Sequence, residues 1–178
     1  MHFFGHLKTV NHHRRLVRRF CFKCGLIKQG LTHDLSKYSR VEFLNGAKYY
    51  TGNHSPIRDE RIDKGYSEAW LHHKGRNKHH PEYWMDFNLE DRSYGPIEMP
   101  DRYIAESFCD RLAATMTYHG KEFKPIMVKE YAVNKDRCPF HQTSKAKLMF
   151  LIDLYLEKGE KEVLSYIKKN MRGKGKKV

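Results

Sequence analysis

The sequence predicts an all-α single domain. Apolar residues recur at three-to-four-residue spacing almost throughout, no segment shows convincing strand alternation, and no internal repeat divides the chain. His6, Val10, His13, Val17, Phe20 and Cys24 form one stripe, so the first helix buries a face with His13 in its middle. Arg14, Arg15, Arg18 and Arg19 fall mostly off that stripe, towards solvent. Gly25 and Gly30 bracket a connection, and Leu31 to about Tyr50 reads as a second helix with His33 and Asp34 in its first turn. The polar segment 52–65 reads as a surface loop. A third helix opens near Ser67, with Tyr66, Ala69, Trp70 and His73 on one face, and Pro81 cannot continue a helix that reaches His79 and His80. Residues 90–100 read as loop. Pro100 suits the first turn of a helix running to about His119, on which Tyr103, Glu106, Asp110, Ala113 and Thr117 share a face. A helix over about 126–135 follows. Thr143 or Ser144 then caps an apolar helix through Leu156, and Gly159 separates it from a last, basic one. The helical domain is expected to span residues 1–171, with a basic, mobile tail over 172–178 that has almost nothing apolar to pack.

With 178 residues the chain can bury a core of its own. No run of eighteen apolar residues occurs, which excludes a transmembrane helix and a membrane partner of that kind. Residues 1–10 lack the apolar stretch of a secretory signal, so a cytoplasmic location is the expectation. Four irregularly spaced cysteines are too few for a disulfide framework and read as reduced thiols. The net charge of +13 favours polyanionic partners: nucleotides, phosphorylated metabolites or nucleic acid.

The chemistry is carried by histidines and carboxylates. His13 and Asp110 each lie on the buried face of a predicted helix, and His33-Asp34 opens another. A buried polar side chain needs a partner, and several inward faces each offering a potential ligand point to a metal. His13, His33, Asp34 and Asp110 would hold a first ion. His73, His79 and His80 would hold or shape a second, with Asp34 bridging the two. Mixed imidazole and carboxylate ligands without thiolate suit manganese, iron or zinc, and magnesium is also compatible. Lys37, one turn after His33-Asp34, is placed to bind a phosphate oxygen or steady developing charge. Arg76 and Asn77 sit between the histidines, where a substrate phosphate or a ligand-orienting hydrogen bond is wanted. Glu106, one turn before Asp110, could orient a ligand or accept a proton. His72 falls off the Tyr66–Trp70 face and reads as exposed. Trp70, Tyr83, Trp84 and Tyr103 read as core before base-stacking platforms.

His13, the segment His33-Asp-Leu-Ser-Lys37 and Asp110 resemble the pattern of the HD superfamily of metal-dependent phosphohydrolases. Within that superfamily, the segment His33-Asp-Leu-Ser-Lys37 followed by a single histidine and a His-His pair is similar to the layout of the HD-GYP phosphodiesterases. The chain departs from that layout after His80, where Pro81-Glu-Tyr-Trp84 replaces the Gly-Tyr-Pro element and removes the argument for a cyclic dinucleotide. A closer resemblance, over Leu7 to about Thr117, is to an uncharacterised domain-of-unknown-function family of bacteria and phages. It rests on His33-Asp-Leu-Ser-Lys37 with Glu42-Phe43, on Ala69-Trp-Leu-His-His73 with Arg76-Asn77, His79-His80 and Tyr83-Trp84, and on Met99-Pro100 with Tyr103, Glu106 and Asp110. No activity comes with that likeness. The HD resemblance implies a phosphatase or phosphodiesterase acting on a nucleotide or other small phosphoester, with a metal-activated water as nucleophile.

Two other readings use the same residues differently. Some HD-like proteins hold two irons with the same ligand order and oxidise a substrate carbon with oxygen, and ligand type does not separate iron from manganese. A nucleic-acid-binding protein is the third reading. It draws on the basic charge and on a zinc site from Cys21, Cys24, Cys138 and His141, although the first pair lies mid-helix and over a hundred residues separate the pairs. The oligomeric state has no sequence signal.

Overall fold

The computed structural model describes residues 1–90, 92–135 and 140–172. Cys138 and the stretch 173–178 lie outside them, so the four-ligand zinc site and most of the expected tail do too. Among the described residues the fold is eight α-helices and one two-stranded antiparallel sheet.

Helix α1 (Phe3–Lys23) buries His6, Val10, His13, Val17 and Phe20, the stripe its spacing predicts. Arg15, Arg18 and Arg19 face outward, but Arg14 turns in. Gly25, with φ +74°, carries the chain into the short α2 (Ile27–Thr32). The expected second helix over 31–50 is broken. His33 and Asp34 form a turn in which Asp34 is left-handed, with φ 52° and ψ 27°; a single 3₁₀ turn over Leu35–Tyr38 follows, and α3 (Arg40–Lys48) starts afresh. Ser39 is its N-cap, accepting from the Glu42 amide at 3.4 Å.

The segment expected as a loop over 52–65 contains helix α4 (Pro56–Lys64), with Pro56 in its first turn and the left-handed Gly65 ending it. Glu60 on α4 is buried and caps the next helix, α5 (Glu68–Lys74). It accepts hydrogen bonds from the Ser67 hydroxyl and from the Glu68 and Ala69 amides, the latter two at 3.2 and 3.4 Å. That buried carboxylate ties a polar helix to the body, which composition alone does not reveal.

A hairpin that periodicity missed, β1 (Met85–Asn88) and β2 (Ser93–Pro96), follows, with Met85 paired to Pro96 and Asn88 to Ser93. Four-residue strands exposed on most positions leave no readable alternation. Helix α6 (Asp101–His119) is buried on all sides from Ile104 to Thr115 and packs against α1, α7 (Ile126–Lys135) and α8 (Gln142–Asn170). Gly159, with φ 80° and ψ −178°, interrupts α8, the division expected there. The apolar core gathers Val17, Phe20, Phe108, Leu112, Leu151 and Ile152 between these helices, and the polar cluster lies at its edge on α1 and α6. No described helix is long and apolar enough to cross a membrane.

Candidate metal centre

Four structural units deliver side chains to one buried point. The middle of α1 supplies His13, the α2–α3 turn supplies His33 and Asp34, the end of α5 with the segment after it supplies His73, His79 and His80, and α6 supplies Glu106 and Asp110. The left-handed backbone at Asp34 is what turns His33 and Asp34 towards the same point; a non-glycine residue held there costs on the order of 1–3 kcal/mol, and such strain collects at functional sites.

The two oxygens of Asp34 face different groups. Oδ2 lies 3.6 Å from His13 Nε2 and 3.4 Å from His33 Nε2, and Asp110 Oδ1 closes that set at 3.1 and 3.5 Å from the same nitrogens. Oδ1 lies 3.3 Å from His73 Nε2 and 3.5 Å from His79 Nε2, and His80 Nε2 joins this set 2.9 Å from His73 Nε2. In each set every ligand atom is within 4.8 Å of the others, the spread a single ion could span. Asp34 is common to both.

The orphaned atoms test the fit. His13 Nε2, His33 Nε2, His79 Nε2 and Asp34 Oδ1 are buried and make no hydrogen bond of acceptable geometry, whereas Asp34 Oδ2 meets the Lys37 ammonium. Buried polar atoms left this way are costly, and four of them converging on one place match the lone pairs a divalent cation takes. Those residues fit a metal.

A carboxylate layer stands behind the imidazoles. Glu106 Oε1 is 2.9 Å from His33 Nδ1 and 3.3 Å from His79 Nδ1; Glu42 Oε2 is 2.7 Å from His73 Nδ1, and its other oxygen is 2.6 Å from His72 Nδ1. Such contacts fix the ring orientation and tautomer and leave Nε2 free to ligate. Charge follows the same plan. Burial opposes ionisation of Asp34, but His33, Lys37 and His73 hold its carboxyl well below the usual range. Asp110 is held low against burial by His13, His33 and His79. Burial works against a charged His33, yet Asp34, Asp110 and Glu106 raise it well above an ordinary histidine. His80 is pushed far down by burial and by His79 and His73, so its ring is neutral.

Lys37 reaches this centre: its ammonium is 2.7 Å from Asp34 Oδ2 and lines the cleft above the ligands. Tyr50, Trp70, Tyr118 and Tyr131 form much of that cleft's wall. Trp70 is not a free stacking platform, because its ring stacks on His73 and carries the Arg61 guanidinium 5.5 Å from its centroid. An adjoining compartment shares Trp70, His80, Asp110 and Tyr131 and brings in Arg58 and Arg61 from α4.

Seven expected ligands, His13, His33, Asp34, His73, His79, His80 and Asp110, are thus brought together. Glu106 does not line the cleft; it faces His33 and His79. Arg76 is outside as well, exposed and donating to the His72 carbonyl, because the turn after α5 points it to the reverse side. Asn77 is buried and donates to Ser36 Oγ at 2.8 Å and to the His73 carbonyl at 2.8 Å, which fixes the turn that carries His79 and His80. His72, expected to be exposed, is half-buried against Glu42. Sequence reasoning missed the roles of Glu42 and Arg14. Glu42 sits at the third helical position after Ser39, the spacing of a capping pair, and its side chain is spent on histidines instead. Arg14 donates to the carbonyls of His33 and Leu31 at 2.8 and 3.3 Å and to the Tyr38 hydroxyl at 2.9 Å, clamping the turn that holds Asp34.

The fold and centre together define a helical domain with a buried His/Asp cluster in which two groups sharing Asp34 could each hold a metal ion. The chain belongs to the family of unknown function DUF5662, which matches residues 2–169. No curated protein and no solved structure matches it.

Proposed function

We propose that the protein is a metal-dependent phosphohydrolase of HD-like type, acting on a nucleotide or other small phosphoester at a dinuclear His/Asp centre. The observation that carries this reading is Asp34, whose two oxygens face two separate ligand sets. His13, His33, Asp34 and Asp110 would hold one ion, and Asp34, His73, His79 and His80 the other. Paired divalent ions supply an activated water and Lewis-acid stabilisation of a phosphoryl oxygen.

The chain's own groups do the rest. Lys37 lines the cleft as a cation: burial works against its charge, but Asp34 and Asp110 hold its pKa above that of an ordinary lysine. It binds a phosphoryl oxygen and balances charge that grows there in the transition state. Glu42 and Glu106 keep the imidazoles aimed. Glu106 is a positioning residue in this scheme, since its carboxylate already serves two imidazoles.

The test is metal content with phosphate release, measured on wild type and on Asp34→Ala. About two equivalents of a transition metal, lost in the variant together with hydrolysis of a phosphoester panel, is the expected result. A metal-loaded protein that consumes oxygen with ferrous iron and releases no phosphate would replace this reading with the di-iron oxygenase. A wild type that takes up no metal after reconstitution overturns both.

A further inference from the structure

The reverse side of the ligand cluster carries a second concavity, and it is strongly basic. Five cations line it: Lys28 on α2, Arg76 and Lys78 after α5, Arg102 on α6, and Arg172 after α8. Glu106 is the one carboxylate among its described lining residues, and that group is turned to His33 and His79. None of the five cations forms an ion pair with a described carboxylate. Arg76 and Arg172 donate to the carbonyls of His72 and Lys168, at 3.2 and 2.6 Å, and Lys78 and Arg102 lie over the Tyr103 ring, 5.9 and 4.8 Å from its centroid. Elsewhere on the surface Lys48, Lys64, Lys129 and Lys147 meet carboxylates, whereas Arg15 and Arg18 on α1 meet no described one, so it is the gathering of five such cations around one hollow that sets this cleft apart. Five uncompensated charges held around one hollow repel each other and focus a positive field into it.

We propose that this reverse cleft is a second binding site, for a small multiply phosphorylated molecule, separate from the cleft over the His/Asp cluster. Several phosphates in one ligand answer the number of cations, and carbonyl-anchored guanidinium groups are already aimed. A nucleic-acid strand is the poorer match. Strand-binding grooves stack bases on aromatic rings. Among the described lining residues Tyr103 is the one tyrosine, phenylalanine or tryptophan, and Lys78 and Arg102 lie over its ring, while the His79 imidazole is buried against Glu106. The cations also surround a hollow formed by four separate segments; they do not run along one ridge.

Inorganic tripolyphosphate is the probe, titrated calorimetrically at about 0.15 M salt, where diffuse surface attraction is screened. Chelator-treated wild type and Asp34→Ala keep the measurement independent of any metal. One saturable site is expected in both proteins. The pair Lys28→Ala with Arg102→Ala should weaken it by about tenfold or more. The pair Arg15→Ala with Arg18→Ala, which removes the same net charge from α1, should change it less than twofold. Circular dichroism melts confirm that both pairs fold, and if the first does not, Lys28→Gln with Arg102→Gln takes its place. Equal weakening by both pairs, or no saturable site, overturns the proposal. So does a single-stranded oligonucleotide that binds more tightly than tripolyphosphate and displaces it. Phosphate release from the other cleft bears on none of these outcomes, so either reading can fail alone.

Discussion

Glu42 Oε2 lies 2.7 Å from His73 Nδ1, so the third residue of α3 aims the last turn of α5 at Asp34. Burial resists the charge on Glu42, but hydrogen bonds from His73 and His72 hold its carboxyl below the ordinary range. Removing a partner of this kind costs metal affinity roughly ten- to a hundredfold. Glu42→Gln is therefore expected to lose the ion shared by Asp34, His73, His79 and His80 first, while the set containing His13 and Asp110 keeps its own. Metal stoichiometry against chelator concentration reads this directly. Equal loss of both ions would show that Glu42 supports the fold and not one ligand set.

Arg14 makes the Asp34 turn rigid. Charged hydrogen bonds contribute about 1.5–3 kcal/mol each when buried, less where solvent reaches them, and Arg14 is partly exposed. Arg14→Ala is expected to destabilise the protein by about 1–2 kcal/mol in urea unfolding. Metal affinity should fall with it. Arg14→Lys should rescue little, because one ammonium cannot reach two carbonyls and a hydroxyl in the geometry of a planar fork. Full rescue by lysine would mean that charge alone matters here.

Gly46 is required by close approach. A Cβ built there would sit 2.2 Å from His6 Nε2, on a ring already packed against Phe43 and Tyr50. Gly46→Ala should cost about 1–3 kcal/mol through overpacking. Since Gly46, His6 and Tyr50 all line the cleft, it should also raise KM more than it lowers kcat for any substrate found. An unchanged melting temperature would show that the His6 ring moves aside freely.

His6 gives a pH dependence of known sign. Burial, helped by the Lys37 ammonium, lowers its pKa from 6.5 to about 4. The unfolded chain then binds a proton at His6 that the folded chain refuses between pH 6.5 and 4. The stability it contributes is complete above pH 6.5 and is lost as pH falls through 4. His6→Gln should flatten the fall of melting temperature across that window, measured on chelator-treated protein so that metal release does not intrude. Parallel curves for the two proteins would remove His6 from the acid response.

Much of this architecture is legible in the chain. The stripe on α1 carries its buried His13, Pro100 and the face Glu106–Asp110 announce α6, and Gly159 divides the last helix. The signals for α3 and α4 were also present, as Ser39 three residues before Glu42 and as Ser55-Pro56 with a closing Gly65. A helical reading carried through 31–50 hides the first, and the polar composition of 52–65 hides the second. Asp34 has no such signal. Its left-handed backbone is imposed by the surroundings, including an arginine twenty residues earlier in the chain.

By itself the sequence determined which residue types are present and which fall on buried helical faces, because period and burial are local properties. With the histidine and aspartate order along the chain, that was enough to choose seven side chains that the structure brings together. Distances and direction belong to the tertiary structure. It placed Glu42 behind His73 and Glu106 behind His33 and His79, and it turned Arg76 to the opposite side of the cluster. Ligand geometry depends on how α1, α3, α5 and α6 pack together, and the rotation of one short turn decides whether a side chain faces the centre or leaves it.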